Sequence, residues 1–199
     1  DVLLVHARAA EEKFVAEGFG GPRMDLMYND FVVVGPAADP AGIAGVSDAA
    51  EAFARIATTK SLFASRGDDS GTHKKEMQLW NAAGVDPTPE SGNWYREMGS
   101  GMGATMNAGV GMSAYVLADR ASWLAFGNKG DFAVVVEGDE RLYNQYGVVP
   151  VSKDKCPLVK AEPSQTFIDW LFSNEGQGAI ASFKIDGKQL FFPNANHGD

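Results

Sequence analysis

Cysteine is nearly absent from the 199 residues. Cys156 stands alone, which rules out an internal disulfide and leaves too few thiols for a thiolate-rich metal site; an inert thiol is the expected role. Histidine is scarce as well. His6, His73 and His197 are scattered with no second ligand at metal-binding spacing, so no metal site is predicted. No apolar run approaches the roughly 18 to 20 residues that a membrane helix needs, because the runs at 31–34 and 133–136 are soon broken. Cations are in deficit: Lys and Arg number 17 against 26 Asp and Glu, for a net charge of −9. That field repels phosphate backbones, which argues against nucleic acid and anionic membrane as partners. Internal repeats, low-complexity tracts and long flexible linkers are missing too, so beads on a string are not expected. Residue 1 opens directly into Val2-Leu3-Leu4-Val5 with no basic and hydrophobic leader ahead of it; a signal peptide is either absent or already removed.

What is present is a globular composition, 45% hydrophobic, enough to bury a core without disulfide or metal. Strand and helix signals alternate, which predicts an α/β architecture. Residues 2–5 read as a buried strand, 9–17 as a helix stopped by Gly18, and 28–34 as a strand closed by Gly35-Pro36. Ser47 is a candidate cap for a helix over 48–58 whose apolar face is Ala49, Ala50, Phe53, Ile56 and Ala57. A short strand at 61–64, a polar loop at 65–71 and a helix over 72–83 follow. Residues 132–136 and 146–151 read as strands. Pro163, Phe167, Ile168, Trp170 and Leu171 mark an amphipathic helix, and 189–193 an extended tail. The extended segments 31–36 and 146–151 each carry a proline near one end and suit chain crossings between two lobes. The expected organisation is a discontinuous first lobe, 1–35 with 150–199, and a second lobe over 36–149.

The most informative stretch is Ser65-Arg66-Gly67-Asp68-Asp69-Ser70-Gly71-Thr72-His73, a turn between a strand and a helix start. Gly67 and Gly71 permit close backbone approach, while Ser70 and Thr72 bring hydroxyls beside the unpaired amides of a helix N-terminus. Such a terminus favours anions, because free N–H groups converge where the helix dipole is positive. Arg66 adds a permanently charged planar fork suited to oxyanions. Ser65, Arg66, Ser70, Gly71 and Thr72 are therefore the candidate ligand-binding residues. A plainer alternative fits the same residues: Ser70 caps the helix and Arg66 pairs with Asp68 or Asp69. Nanomolar capture needs about −12 kcal/mol, whereas one charge-assisted hydrogen bond nets about 1.5 to 3, so one loop is not enough. The run Gly99-Ser100-Gly101-Met102-Gly103-Ala104-Thr105 is a second source of amides, with Gly101, Met102 and Gly103 as candidates. It lacks a phosphate-loop lysine and dinucleotide spacing, and its alternative role is a helix start packed on a neighbour.

Other features carry less. Gly67-Asp68-Asp69-Ser70-Gly71 misses the nucleophile-elbow pattern by one position, although Ser70 and His73 leave a serine-dependent hydrolase or phosphotransfer enzyme as a rival reading without an orienting acid. Arg66-Gly67-Asp68 spells an adhesion tripeptide by chance. Trp94, Tyr95 and Trp123 are expected in the core.

A wider set of segments carries a family resemblance: Asp1-Val2-Leu3-Leu4-Val5-His6-Ala7, Glu11-Glu12-Lys13-Phe14-Val15-Ala16-Glu17-Gly18, Met27-Tyr28-Asn29-Asp30-Phe31-Val32-Val33-Val34-Gly35-Pro36, the Ser65 to His73 turn, Trp94-Tyr95-Arg96-Glu97, Asp119-Arg120 and Phe167-Ile168-Asp169-Trp170-Leu171. Over nearly its whole length the chain resembles the periplasmic tungstate-binding components of ABC transporters, relatives of molybdate-binding and other type II solute-binding proteins. The resemblance implies a two-lobed type II periplasmic binding protein fold, an oxyanion held in a cleft between lobes, and no enzymatic activity or cofactor. It also implies delivery to a transporter permease and a periplasmic or extracytoplasmic location, free or lipid-tethered. The family's anion-contacting arginine falls on Arg66 and its hydroxyl-bearing turn on Ser70-Gly71-Thr72. With tungstate first and molybdate second, a fully deprotonated oxyanion offers acceptors only, so Asp68 and Asp69 are expected to turn away from it. The family's N-terminal strand-helix-strand with its Thr/Ser-rich ligand loop has no counterpart here. The first lobe is expected to be incomplete and to show an exposed sheet edge.

Overall fold

The computed structural model describes residues 1–185 and 187–195; His197 lies outside them. The strands are β1 (Val2–Val5), β2 (Met24–Gly35), β3 (Phe63–Ser65), β4 (Tyr95–Glu97), β5 (Val116–Asp119), β6 (Ala133–Val136), β7 (Tyr143–Pro150), β8 (Lys184–Ile185), β9 (Lys188–Gln189) and β10 (Phe192–Pro193). The helices are α1 (Arg8–Ala16), α2 (Ala49–Thr59), α3 (Gly71–Ala82), α4 (Met102–Met112), α5 (Arg120–Ala125), α6 (Ala161–Phe172) and α7 (Asn174–Ser182). The chain folds as two units, one built from Asp1–Asn29 and the chain from Asn144 onward, the other from Asp30–Tyr143. The chain thus changes unit after Asn29 and after Tyr143, earlier in each case than the expected 35/36 and 149/150. For the first crossing the physical reason is that β5 pairs with residues 31–34 and β6 with residues 33–35, both strands of the second unit.

In the first unit the strand order is β1-β7-β2-β10. Val2 to Val5 pair antiparallel with Pro150 to Gly147, and among the described residues β7 is the one neighbour of β1. The expectation of a buried strand is corrected here. None of its four residues is fully buried and Leu4 is 43% exposed, because an edge strand has a covering neighbour on one side alone. Leu26, Val148, Ile168, Leu171 and Phe172 form this unit's core, joining the sheet to α6. Cys156 is a free thiol.

In the second unit β2 is flanked by β5 and β6, both antiparallel. Strand β3 runs parallel to β4 and bridges to Tyr115 at the start of β5. Side chains alternate along a strand, and β2 divides accordingly. Phe31 and Val33 enter one cluster with Phe53, Ile56, Leu79 and Trp80 of α2 and α3; Val32 and Val34 enter another with Met106 of α4 and Trp123 of α5. The sheet is therefore covered by helices on both faces, which is why 31–34 is apolar at every position. Trp94, Tyr95 and Trp123 are core residues. Helix α4 occupies the glycine-rich run, and a Cβ at Gly109 would stand 2.3 Å from a Val116 methyl carbon, so glycine lets this helix press against β5. The cap of α2 is Asp48, whose carboxylate accepts from the Glu51 amide, rather than Ser47. The side-chain oxygen one residue nearer the helix makes the bond.

Candidate functional site

The parallel pair β3 and β4 ends at Ser65 and Glu97, facing each other in register. Parallel strands in α/β sheets place ligands outside their carboxyl ends, where the helices that follow begin. Here the two succeeding loops are joined by backbone: the Met98 amide donates to the Ser65 carbonyl at 2.9 Å and the Ser100 amide to the Arg66 carbonyl at 3.2 Å. The two glycine-bearing runs picked out in the sequence, around Arg66 and around Gly101, thus meet in one unit.

Gly67 has φ +56°, and a Cβ there would lie 2.9 Å from Glu97 Cβ. Backbone conformation and close approach both demand glycine. Ser70 is the N-cap of α3, its hydroxyl accepting from the His73 amide at 3.3 Å. The amides of Gly71 and Thr72 come before the first amide with an intrahelical partner, that of Lys74, which donates to the Ser70 carbonyl, and they stand at the positive end of the helix. Thr72 is buried and Gly71 exposed. Helix α4 begins at Met102 after Gly101, with no side-chain cap. Gly101 and Gly103 are exposed, and a Cβ added at either would meet nothing within 4 Å, so this helix start borders open space. The side chain of Met102 packs into the core with Met106 and Trp123, leaving its amide as the group on offer.

Arg66 is 19% exposed at its side chain and is paired with Asp68, Nη2 to Oδ2 at 2.5 Å and Nε to the same oxygen at 3.1 Å. Asp69 differs from Asp68: its side chain is 87% exposed beside Lys74. The Ser70 hydroxyl, and after it the Arg66 guanidinium, stabilise the Asp68 carboxylate and hold its pKa down to about 2. Both halves of the plainer alternative, the Ser70 cap and the Arg66–Asp68 pair, are thus present in the same turn that presents the α3 amides. Ser65 differs from the other candidates. It is fully buried, its Oγ accepting from the Gly67 amide at 3.1 Å and lying 3.0 Å from the Tyr95 hydroxyl. Its hydroxyl shapes the turn from beneath instead of facing outward.

The rival serine–histidine arrangement is not formed. His73 Nδ1 accepts from the Asp69 amide at 3.1 Å, and the contact between Ser70 and His73 runs from backbone N–H to Oγ. The imidazole nitrogen that would serve as base is committed to the turn. Among the described residues no group of three or more His, Cys, Asp and Glu is placed to hold a metal ion, and no helix is long and apolar enough to cross a membrane. Glu76 and Tyr95, not selected from sequence, lie directly under the turn. The available signal was an acidic residue one turn before Leu79 and Trp80 on the buried stripe of α3.

An α/β unit with two helix N-termini and an arginine at the carboxyl ends of parallel strands has the makings of an anion-binding domain. The comparisons narrow this: residues 1–175 match the PBP superfamily domain, and the chain belongs to that superfamily. It is 50% identical, over 98% of its length and 58% of the other, to a Haloferax volcanii protein with the provisional name ABC transporter anion-binding protein. It is 45% identical to the tungstate-binding protein TupA of Peptoclostridium acidaminophilum, over 98% of this chain and 68% of that one. The solved tungstate-binding protein TupA of Desulfovibrio alaskensis G20 superposes with a TM-score of 0.91 at 45% identity, covering 98% of this chain and 79% of that one. The chain spans a little over half of the Haloferax relative, and about two thirds of the Peptoclostridium one.

Proposed function

We propose that the protein is an extracytoplasmic solute-binding component of an ABC transporter that captures tungstate, and molybdate as its near isostere, for delivery to a permease. The observation that carries this reading is the union in one unit of Arg66, the α3 amides at Gly71 and Thr72, and the open α4 N-terminus at Gly101 to Gly103. The names of the relatives point to the same ligand class. A deprotonated tetrahedral dianion presents only acceptors, and N–H groups and a guanidinium present only donors, so every contact is favourable. The ligand would draw Arg66 from Asp68, exchanging one carboxylate partner for a doubly charged one. Ser65 holds the turn in shape, and Met102 and Gly103 contribute backbone. Because the net charge is −9, attraction comes from these local donors and not from the overall field. No covalent step is required of the chain: its work is binding.

Thermal melting with tungstate, molybdate, sulfate and phosphate in turn tests this. Tungstate and molybdate are expected to raise the melting temperature at concentrations where sulfate and phosphate do little, since a ligand that binds only the folded state stabilises it by mass action. Equal shifts from all four, or none from any, would count against the reading.

A further inference from the structure

Helix α3 starts on a reciprocal pair of hydrogen bonds. Its N-cap Ser70 accepts from the His73 amide at 3.3 Å, and the His73 ring in turn accepts from the Asp69 amide on Nδ1 at 3.1 Å. Ser70 and His73, three residues apart, occupy the positions of a capping box, where the third helical residue is ordinarily Glu or Gln and its side chain reaches back to the N-cap amide. Here the imidazole reaches one residue further, to Asp69, and the N-cap amide is taken by another acceptor: the Ser70 N–H donates to Asp68 Oδ1 at 3.2 Å. Asp69 stands in the left-handed region with φ +56°, which is uncommon outside glycine. The bond from His73 therefore holds a bend that residue type alone does not favour. The side chains of Ser65, His73 and Asp68 take the amides of Gly67, Asp69 and Ser70 respectively. The next two amides, of Gly71 and Thr72, have no acceptor among the described residues.

Charge separates a histidine at this place from the usual residue. A glutamate at 73 would supply an acceptor too, but it would set a carboxylate on the first turn of α3, beside the two amides left for an anion. The carboxylates already in the turn are each matched by a cation, Asp68 by Arg66 and Asp69 by Lys74 at 3.6 Å. An imidazole that accepts on Nδ1 carries its hydrogen on Nε2 and has no net charge. We propose that His73 is a positioning residue that closes the N-terminus of α3 with a neutral acceptor: it fixes the turn at Asp69, and with it the Gly71 and Thr72 amides, without adding a negative charge to the site. The benefit to ligand binding rests on the anion-binding reading; the cap itself does not.

Three substitutions separate the bond from the charge. His73→Gln keeps a neutral acceptor, His73→Glu keeps an acceptor and adds the charge, and His73→Ala removes the acceptor. A glutamate in the first turn also complements the helix dipole, so H73E is expected to melt at or above the wild-type temperature. By calorimetry at neutral pH and low salt it is nevertheless expected to bind tungstate at least about tenfold more weakly, with a deficit that shrinks as salt is added. H73Q is expected to bind within about twofold of the wild type, and H73A about fivefold more weakly with a lower melting temperature. In the ligand-free wild type at neutral pH, nitrogen chemical shifts of the His73 ring are expected to show the hydrogen on Nε2, and the Asp69 amide to exchange more slowly than in H73A. An H73E that binds as tightly as the wild type would overturn the proposal, as would an H73A with wild-type stability and affinity or a ring with its hydrogen on Nδ1. A protein that shows this tautomer and the lowered melting of H73A but binds no tungstate supports the cap and refutes the anion reading instead.

Discussion

At the scale of single residues, the turn after β3 is crowded with obligations that residue type alone reveals only in part. Arg66, Ser70, Gly71 and Thr72 could be selected from sequence because a fork, a cap and a helix start are properties of residue type and order. That Ser65 faces inward was not legible. It depends on strand register, which sends Ala64 to one face of the sheet and Ser65 to the other, toward Tyr95 and Glu76. The Arg66–Asp68 pair is the one the sequence offered as the plainer alternative for this turn. Its pH consequence follows from the sign of the shift. A carboxylate lowered from 3.8 to about 2 contributes stability that is present above 3.8 and is lost as pH falls through about 2. Thermal melts of Asp68→Asn between pH 5 and about 2 are expected to lack that part of the acid decline. An acid limb identical to the wild type's would show that the pairing contributes nothing.

At the scale of elements, strands and helices with strong periodicity were legible: β1, β2, α2, α3, β6, β7 and α6 all lie where the pattern put them. The strands β4 and β5, three and four residues long, were not singled out. Helix α4 was obscured by its glycines, which β5 requires at Gly109. The burial of β1 was misread because an apolar run says nothing of whether both faces and both edges will be covered. At α2 the cap distinguishes two adjacent residues. Asp48→Ala is expected to cost about 1 kcal/mol in urea denaturation, and Ser47→Ala close to nothing. The reverse order would mean that the Asp48 to Glu51 bond does not cap the helix.

At the scale of the whole molecule, an acidic chain is proposed to hold a doubly charged anion, and the conflict is resolved by locality. Salt screens the diffuse field of a −9 surface over about 10 Å, while hydrogen bonds to N–H groups act at contact. The α/β class followed from alternation of element types, and the two lobes from the extended segments 31–36 and 146–151 and from family resemblance; the points at which the chain passes between units did not, because sequence patterns do not reveal which strands will claim residues 31–35. The proposed central role of Arg66 is tested most directly by calorimetric titration of tungstate into the wild-type protein and Arg66→Ala, side by side at neutral pH. The expected result is saturable one-to-one binding weakened at least about tenfold by the substitution, the loss of one charge-assisted contact. Unchanged affinity in Arg66→Ala would contradict the account.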